Sequence, residues 1–174
     1  MLAVHVLGPG FGESIVIELP GGEVGLIDSF RTRHAPSPVL EFLRSLRPEL
    51  TSLRFVALTH PHADHCMGAH DFLAPYRVQE VWLFHSFIQN SCLGFYKAMH
   101  DKKRRDAVEE SLSLPAGSVW LDALKLRKVI GEQGDAVKRR FLKAGQTIDL
   151  DDGRATARFL TPNDQGGLAI PGNT

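Results

Sequence analysis

The amino-acid sequence predicts an α+β domain, and three observations carry that prediction. Short runs rich in Val and Ile at 3–7, 14–19 and 24–27, separated by glycine-containing turns, have the form of an antiparallel meander. Between 53 and 84 a strand, a polar loop, a short helical stretch and a second strand follow one another, the alternation of an α/β unit. Two further β-type runs, 146–150 and 155–160, flank Asp151-Asp152-Gly153, an Asp-Gly signal for a hairpin.

A length of 174 residues corresponds to a single domain, 1–174, with enough chain for a sizeable core. With 43% apolar and 23% charged residues the balance is that of a soluble globular protein. Lys plus Arg and Asp plus Glu each total 20, so net charge argues neither for nor against an anionic partner, and any attraction has to be local. The two cysteines, Cys66 and Cys92, are too few for a disulfide framework and suit a reducing compartment. Residues 1–7 lack the basic start and long apolar core of a secretory leader, and no apolar run reaches the roughly 18 residues of a membrane span. The expectation is a soluble cytoplasmic protein with no membrane partner.

Along the chain, the glycine-rich loop 8–12 lies between two strands and is followed by no Lys-Ser/Thr pair, which argues against a phosphate cradle. Ser37-Pro38 reads as a helix cap and first helical position, with Val39, Leu40, Phe42, Leu43 and Leu46 at helical spacing and Pro48 as the stop. The strand 53–59 comes next, then a helix from His65 to about Leu73 stopped by Pro75, then a buried strand, 78–84. From about Ile88 to Gly134 the pattern is helical and is broken at Pro115-Ala116-Gly117. Within that block Lys102-Lys103-Arg104-Arg105 reads as a solvated helix face, because Glu109 stands at i+4 from Arg105. Residues 165–174 form a Gly- and Pro-containing tail.

The chemistry concentrates in Thr59-His60-Pro61-His62-Ala63-Asp64-His65, directly after the apolar run 53–58. Single loop histidines are commonly plain surface residues, but four donors within six positions at a strand-to-helix junction converge on a small volume. His60 and His62, on alternate residues, can reach one cation from the same side, and Asp64 and His65 at the helix start can reach a second. Neutral imidazole and carboxylate suit Zn²⁺, and carboxylate also suits Mn²⁺ or Fe²⁺.

This His-x-His-x-Asp-His segment resembles the signature of the metallo-β-lactamase superfamily of hydrolases. Gly25-Leu26-Ile27-Asp28-Ser29 fits the strand that ends in an aspartate ahead of the signature, and Gly12-Glu13-Ser14-Ile15-Val16-Ile17 fits the opening hairpin. Met67 departs from the Gly-Gly that often follows the Asp-His pair, while Gly68 matches. The resemblance implies an αββα sandwich, of which the chain holds the first sheet and its helices, with the domain incomplete at its C-terminus. It implies one or two Zn²⁺ ions held by His60, His62, Asp64 and His65, a catalytic role for Asp64 in orienting the nucleophile and handling its proton, and Asp28 as a carboxylate behind the ligand loop. It also implies a later bridging aspartate and a final histidine, neither of which is identified. His85 and then His100 are the best placed internal substitutes, with His5, His34 and His70 weaker.

The implied activity is metal-dependent hydrolysis of a small-molecule or nucleic-acid substrate. The opening Gly-Pro-Gly-Phe-Gly-Glu-Ser-Ile and the Leu-Ile-Asp-Ser strand end look most like the branch that includes the extracytoplasmic domain of competence-type DNA-uptake channels, which points to phosphodiester bonds. The competing reading is a non-catalytic binding module of the same fold lacking the second-half ligands. Because half of a two-sheet sandwich exposes the inner face of its sheet, a homo-oligomer or the remaining half of a longer chain is expected to cover it.

Overall fold

Val and Ile side chains build the first three strands, on alternate residues in β1 and consecutively in β2. β1 (Ala3–Leu7) pairs antiparallel with β2 (Ser14–Glu18), Val4 opposite Ile17 and Val6 opposite Ile15. β2 in turn pairs antiparallel with β3 (Val24–Ile27), Ile15 opposite Ile27. The structure, a computed structural model, describes residues 1–8, 12–30, 37–59, 63–66, 68–84, 132 and 136–160, with residues 63, 64, 72 and 84 described by their backbone. The helical block expected from about 88 to 134 lies outside the described residues except for Glu132, as do Lys102 to Arg105 and the tail after Leu160.

From β3 onward the strands are parallel. β4 (Ser52–Leu58) lies beside β3, β5 (Arg77–Phe84) beside β4, and β6 (Lys138–Leu142) beside β5, giving one six-stranded sheet in the order β1-β2-β3-β4-β5-β6. Parallel neighbours need a crossover, and helices supply it between β3 and β4 and between β4 and β5. α1 (Pro38–Leu46) starts where the sequence placed it: Ser37 Oγ accepts the Leu40 N–H, Pro38 occupies the first turn, and the Arg47 N–H closes the last turn on Leu43 O. The single helix expected over 65–73 is two, α2 (Ala63–Cys66) and α3 (Ala69–Leu73). The break falls at Gly68, whose left-handed backbone (φ 79°) turns the chain between them at a position where a side chain would be strained.

α1, α2 and α3 cover one face of the sheet. Val39, Leu43, Cys66, Ala69 and Leu73 from the helices pack with Val16, Val24, Leu26, Val56 and Val81 from the strands, all buried. The expected hairpin forms on the other face: β7 (Thr147–Leu150) and β8 (Ala155–Arg158) make a two-stranded sheet of their own. Their turn holds Asp151, Asp152 and Gly153 at φ 54°, 55° and 80°. Ile148, Leu150 and Phe159 join Leu19, Phe55, Trp82 and Leu142 in a second core. At its centre the Phe55 and Trp82 rings stack 3.9 Å apart and Phe159 meets Trp82 edge-on at 5.6 Å. Gly25 opposite Phe55 is required by that layer, since a β-carbon there would overlap the Phe55 ring. The hairpin is tied to the β2–β3 turn by Asp151, which accepts the Gly21 N–H at 2.6 Å and pairs with Arg154 at 2.7 Å.

The fold is thus α+β: among the described residues, a mixed six-stranded sheet with helices on one face and a two-stranded sheet on the other, consistent with a metallo-β-lactamase-like fold. The expectation of one sheet and its helices is met, and the hairpin adds partial cover to the inner face. Among the described residues that cover is partial: a cleft of about 530 Å³ lies between β1 and β2 and the hairpin, lined by Leu2, Val4, Ile17, Phe55 and Ala157 among others.

Glu80 is buried on the same inner side and is held by β6. Burial pushes its pKa up, but hydrogen bonds from Arg140 and Trp82 Nε1 and the charges of Arg140 and Arg54 outweigh that and bring it from 4.5 down to about 2. Among the described residues no helix is long and apolar enough to cross a membrane.

Candidate functional site: a carboxylate turn behind His65

Because β3 and β4 are parallel neighbours, the residues that follow them emerge at the same edge of the sheet. Asp28 follows β3, Thr59 follows β4, and α2 begins four residues beyond Thr59. Asp28 has a left-handed backbone, φ 55°, which is uncommon for a residue with a side chain and tolerated best by Asp and Asn. Three neighbouring elements hold it there. The Asp28 N–H donates to Ala57 O of β4 at 2.8 Å, the Ser29 N–H to His65 O of α2 at 2.8 Å, and the Phe30 N–H to Ser14 Oγ of β2 at 2.9 Å.

The Asp28 carboxylate, buried, accepts three hydrogen bonds. Thr59 donates its N–H to Oδ1 at 2.7 Å and its hydroxyl to Oδ2 at 2.5 Å, and His65 Nδ1 donates to the same Oδ2 at 2.8 Å. With the carboxylate as acceptor the His65 Nδ1 carries a proton, and in the neutral ring the lone pair is then on Nε2. A histidine that ligates a metal through one nitrogen and donates from the other to a carboxylate has this arrangement. The chemistry of His65 therefore fits a cation.

Of the five residues singled out in the sequence, the structure brings Asp28 and His65 into direct contact. Asp64 stands on α2 beside His65, with its side chain outside the described residues, and His60 and His62 lie outside them altogether. Among the described residues no group of three or more His, Cys, Asp or Glu side chains is gathered as a metal site requires. His34, His85 and His100 also lie outside the described set. His5 pairs with Glu18 at 2.8 Å and lies 4.9 Å from the Phe42 ring, and His70 Nε2 lies 3.1 Å from Asp71, so both are engaged away from the Asp28 turn. Cys66 is buried in the helix-side core. The later bridging aspartate that the resemblance implies has one candidate in the sequence, Asp135, which follows Gly134 ahead of β6 and lies outside the described residues.

Two contributors went unremarked in the sequence, Ser14 and Thr59. Each had a faint signal: a hydroxyl opening a Val- and Ile-rich strand, and a hydroxyl between the last apolar strand residue and the histidines.

Parallel strand ends here carry a carboxylate that grips an imidazole, on an α+β sheet with helices on one face. Residues 7–83, from the last residue of β1 to the penultimate residue of β5, match the family model of the metallo-beta-lactamase superfamily. No curated protein matches the chain. The match points to a metal-dependent hydrolase or a related binding module, in a superfamily that includes many hydrolases and typically binds zinc.

Proposed function

We propose that the chain is a metal-dependent hydrolase, or the N-terminal part of one, working in the cytoplasm with His60, His62, Asp64 and His65 as its cation ligands. The observation that supports this reading most is the hydrogen bond from His65 Nδ1 to the buried Asp28 carboxylate, which fixes the orientation of the imidazole. Zn²⁺ held by these residues, or Mn²⁺ or Fe²⁺ in its place, would supply a bound water whose pKa falls from about 15.7 towards about 7. Asp28 keeps the His65 ring in one tautomer and one orientation. Asp64 is the carboxylate that orients the nucleophile and takes its proton. The pattern of the opening loop and of Leu26-Ile27-Asp28-Ser29 supports phosphodiester bonds of nucleic acid or nucleotides as the substrate class.

Two measurements test this. Elemental analysis after growth with zinc is expected to find the metal with the chain, whereas less than about 0.2 metal per chain would favour the non-catalytic binding module. Turnover of bis-p-nitrophenyl phosphate, with Zn²⁺ or Mn²⁺ added, is expected to exceed that of nitrocefin and of a thioester; turnover of the latter two alone would reverse the substrate assignment. His62→Ala is expected to abolish metal uptake and hydrolysis while leaving the far-UV circular dichroism unchanged.

A further inference from the structure

Asp28 can orient His65 only as well as its own turn is held, and two hydroxyls hold it. Thr59 fixes the plane of the carboxylate by donating to both of its oxygens, N–H to Oδ1 and O–H to Oδ2. The His65 Nδ1–H meets that second oxygen beside the Thr59 hydroxyl, so the two donors share one atom and the position of one constrains the direction of the other. Ser14 acts one step further back. Fully buried at the start of β2, its Oγ accepts the Phe30 N–H and pins the exit of the left-handed turn, while the Ser29 N–H ties the same turn to the carbonyl of His65 itself. Three consecutive N–H groups, of residues 28, 29 and 30, thus go to β4, α2 and β2.

We propose that Thr59 and Ser14 are positioning residues for the metal site, acting through the Asp28 turn to hold the His65 imidazole with its lone pair on Nε2. This rests on the metal-binding reading above and adds to it that affinity for the cation depends on two hydroxyls that touch no cation. A hydroxyl serving strand stability alone would change the unfolding midpoint without changing affinity. A positioning hydroxyl changes affinity in a chain that remains folded.

The test uses the full chain, stripped of metal, with Zn²⁺ as the probe in competition with a chromophoric chelator. Thr59→Val removes the hydroxyl while keeping the shape, and about a tenfold loss of zinc affinity is expected, the range seen when an outer hydrogen-bond partner of a ligand is deleted. Thr59→Ser keeps the donor and is expected to stay within about twofold of the unmutated chain, and Ser14→Ala is expected to lose affinity in the same direction but less than Thr59→Val. A long-range ¹H–¹⁵N correlation spectrum of the metal-free chain reads the tautomer directly and is expected to show His65 protonated on Nδ1, with a mixture of tautomers in Thr59→Val. Zinc affinity unchanged in a folded Thr59→Val overturns the proposal, as does an equal loss in Thr59→Ser. Should Thr59→Val fail to fold, the spectrum of the unmutated chain and the affinity of Ser14→Ala decide: an Nε2-protonated His65, or unaltered affinity in Ser14→Ala, overturns it. No zinc uptake by the unmutated chain removes the metal reading and this proposal together, whereas uptake indifferent to these hydroxyls removes this proposal alone.

Discussion

Among the described residues, the two faces of the six-stranded sheet are covered by different amounts of chain. On the helix face, three helices lay apolar side chains over β2 to β5, and Leu26, Val39, Leu43, Leu53, Ala69 and Leu73 have no exposed surface. On the hairpin face, two short strands cover the Phe55 and Trp82 layer and stop short of β1, where Val4 and Val6 are each 57% exposed. The first face is held by dense packing. The second is held by a smaller apolar layer together with specific polar ties, Gly21 to Asp151 and Glu80 to Arg140. The candidate site belongs to both: α2 brings His65 from the helix face, while Thr59, which grips the same Asp28 carboxylate, lines the open cleft on the hairpin face. Whatever fills the cleft therefore comes up against a residue that orients the site.

The largest expected effect breaks the comparison at its densest point. Leu26→Ala deletes a fully buried side chain between strand neighbours and helices, and a loss of about 3–4 kcal/mol is expected because the surroundings cannot collapse into the space. Ile148→Ala, at 8% exposure in the smaller second core, removes a similar side chain from a thinner layer, and about 2 kcal/mol is expected. Urea unfolding monitored by tryptophan fluorescence gives both numbers. Equal losses would mean the two faces are packed alike.

Next in size is the pH dependence of the hairpin face. Glu80 has its pKa lowered from 4.5 to about 2 in the folded chain, so its contribution is fully present above pH 4.5 and is lost as pH falls through the window from 4.5 to 2. The difference corresponds to about 3 kcal/mol, and stability followed by urea titration between pH 6 and pH 2 is expected to fall by roughly that amount from this group. Glu80→Gln is expected to be less stable at neutral pH, since Arg140 loses its charged partner, and to lack this share of the decline. A decline of the same steepness in Glu80→Gln would assign it to other carboxylates.

The two faces also differ in how readily the sequence discloses them. The helix face was legible because its signals are local: Ser37-Pro38 caps α1, the 3.6-residue spacing of Val39 and Leu43 marks its buried side, and the apolar runs 53–58 and 78–84 are long enough to read as buried strands. Gly68 was read against a family pattern and not as a helix break, so α2 and α3 were expected as one. β6 went unread because Lys138, Arg139 and Arg140 give an edge strand a charged sequence whose pairing with β5 depends on the distant Glu80. The hairpin was legible as a hairpin from Asp-Gly, but its place on the inner face was not, since that depends on Asp151 meeting Gly21 across 130 positions of chain. At the site, His60, His62, Asp64 and His65 stand out by their spacing, and Asp28 by the resemblance of its strand end. The hydroxyls of Ser14 and Thr59 could not, because their meaning comes from the Asp28 turn that folding brings to them.

The smallest expected effect sharpens the comparison at its open margin. Val4 and Val6 project from β1 opposite Ile17 and Ile15, on the side where the hairpin does not reach. Val4→Thr keeps the shape and replaces a methyl with a hydroxyl, which costs little where water already has access, and a change within about 0.5 kcal/mol is expected. The same substitution at a covered position would strand a polar group against apolar neighbours and cost about 1–3 kcal/mol. Measuring unfolding at two protein concentrations separates the cases further, because cover by a second copy makes the midpoint rise with concentration, whereas an open β1 face leaves it fixed. A loss above about 1 kcal/mol in Val4→Thr that grows as the unmutated chain is concentrated would show that β1 is covered in solution, and that the open margin of the hairpin face is closed by a neighbour.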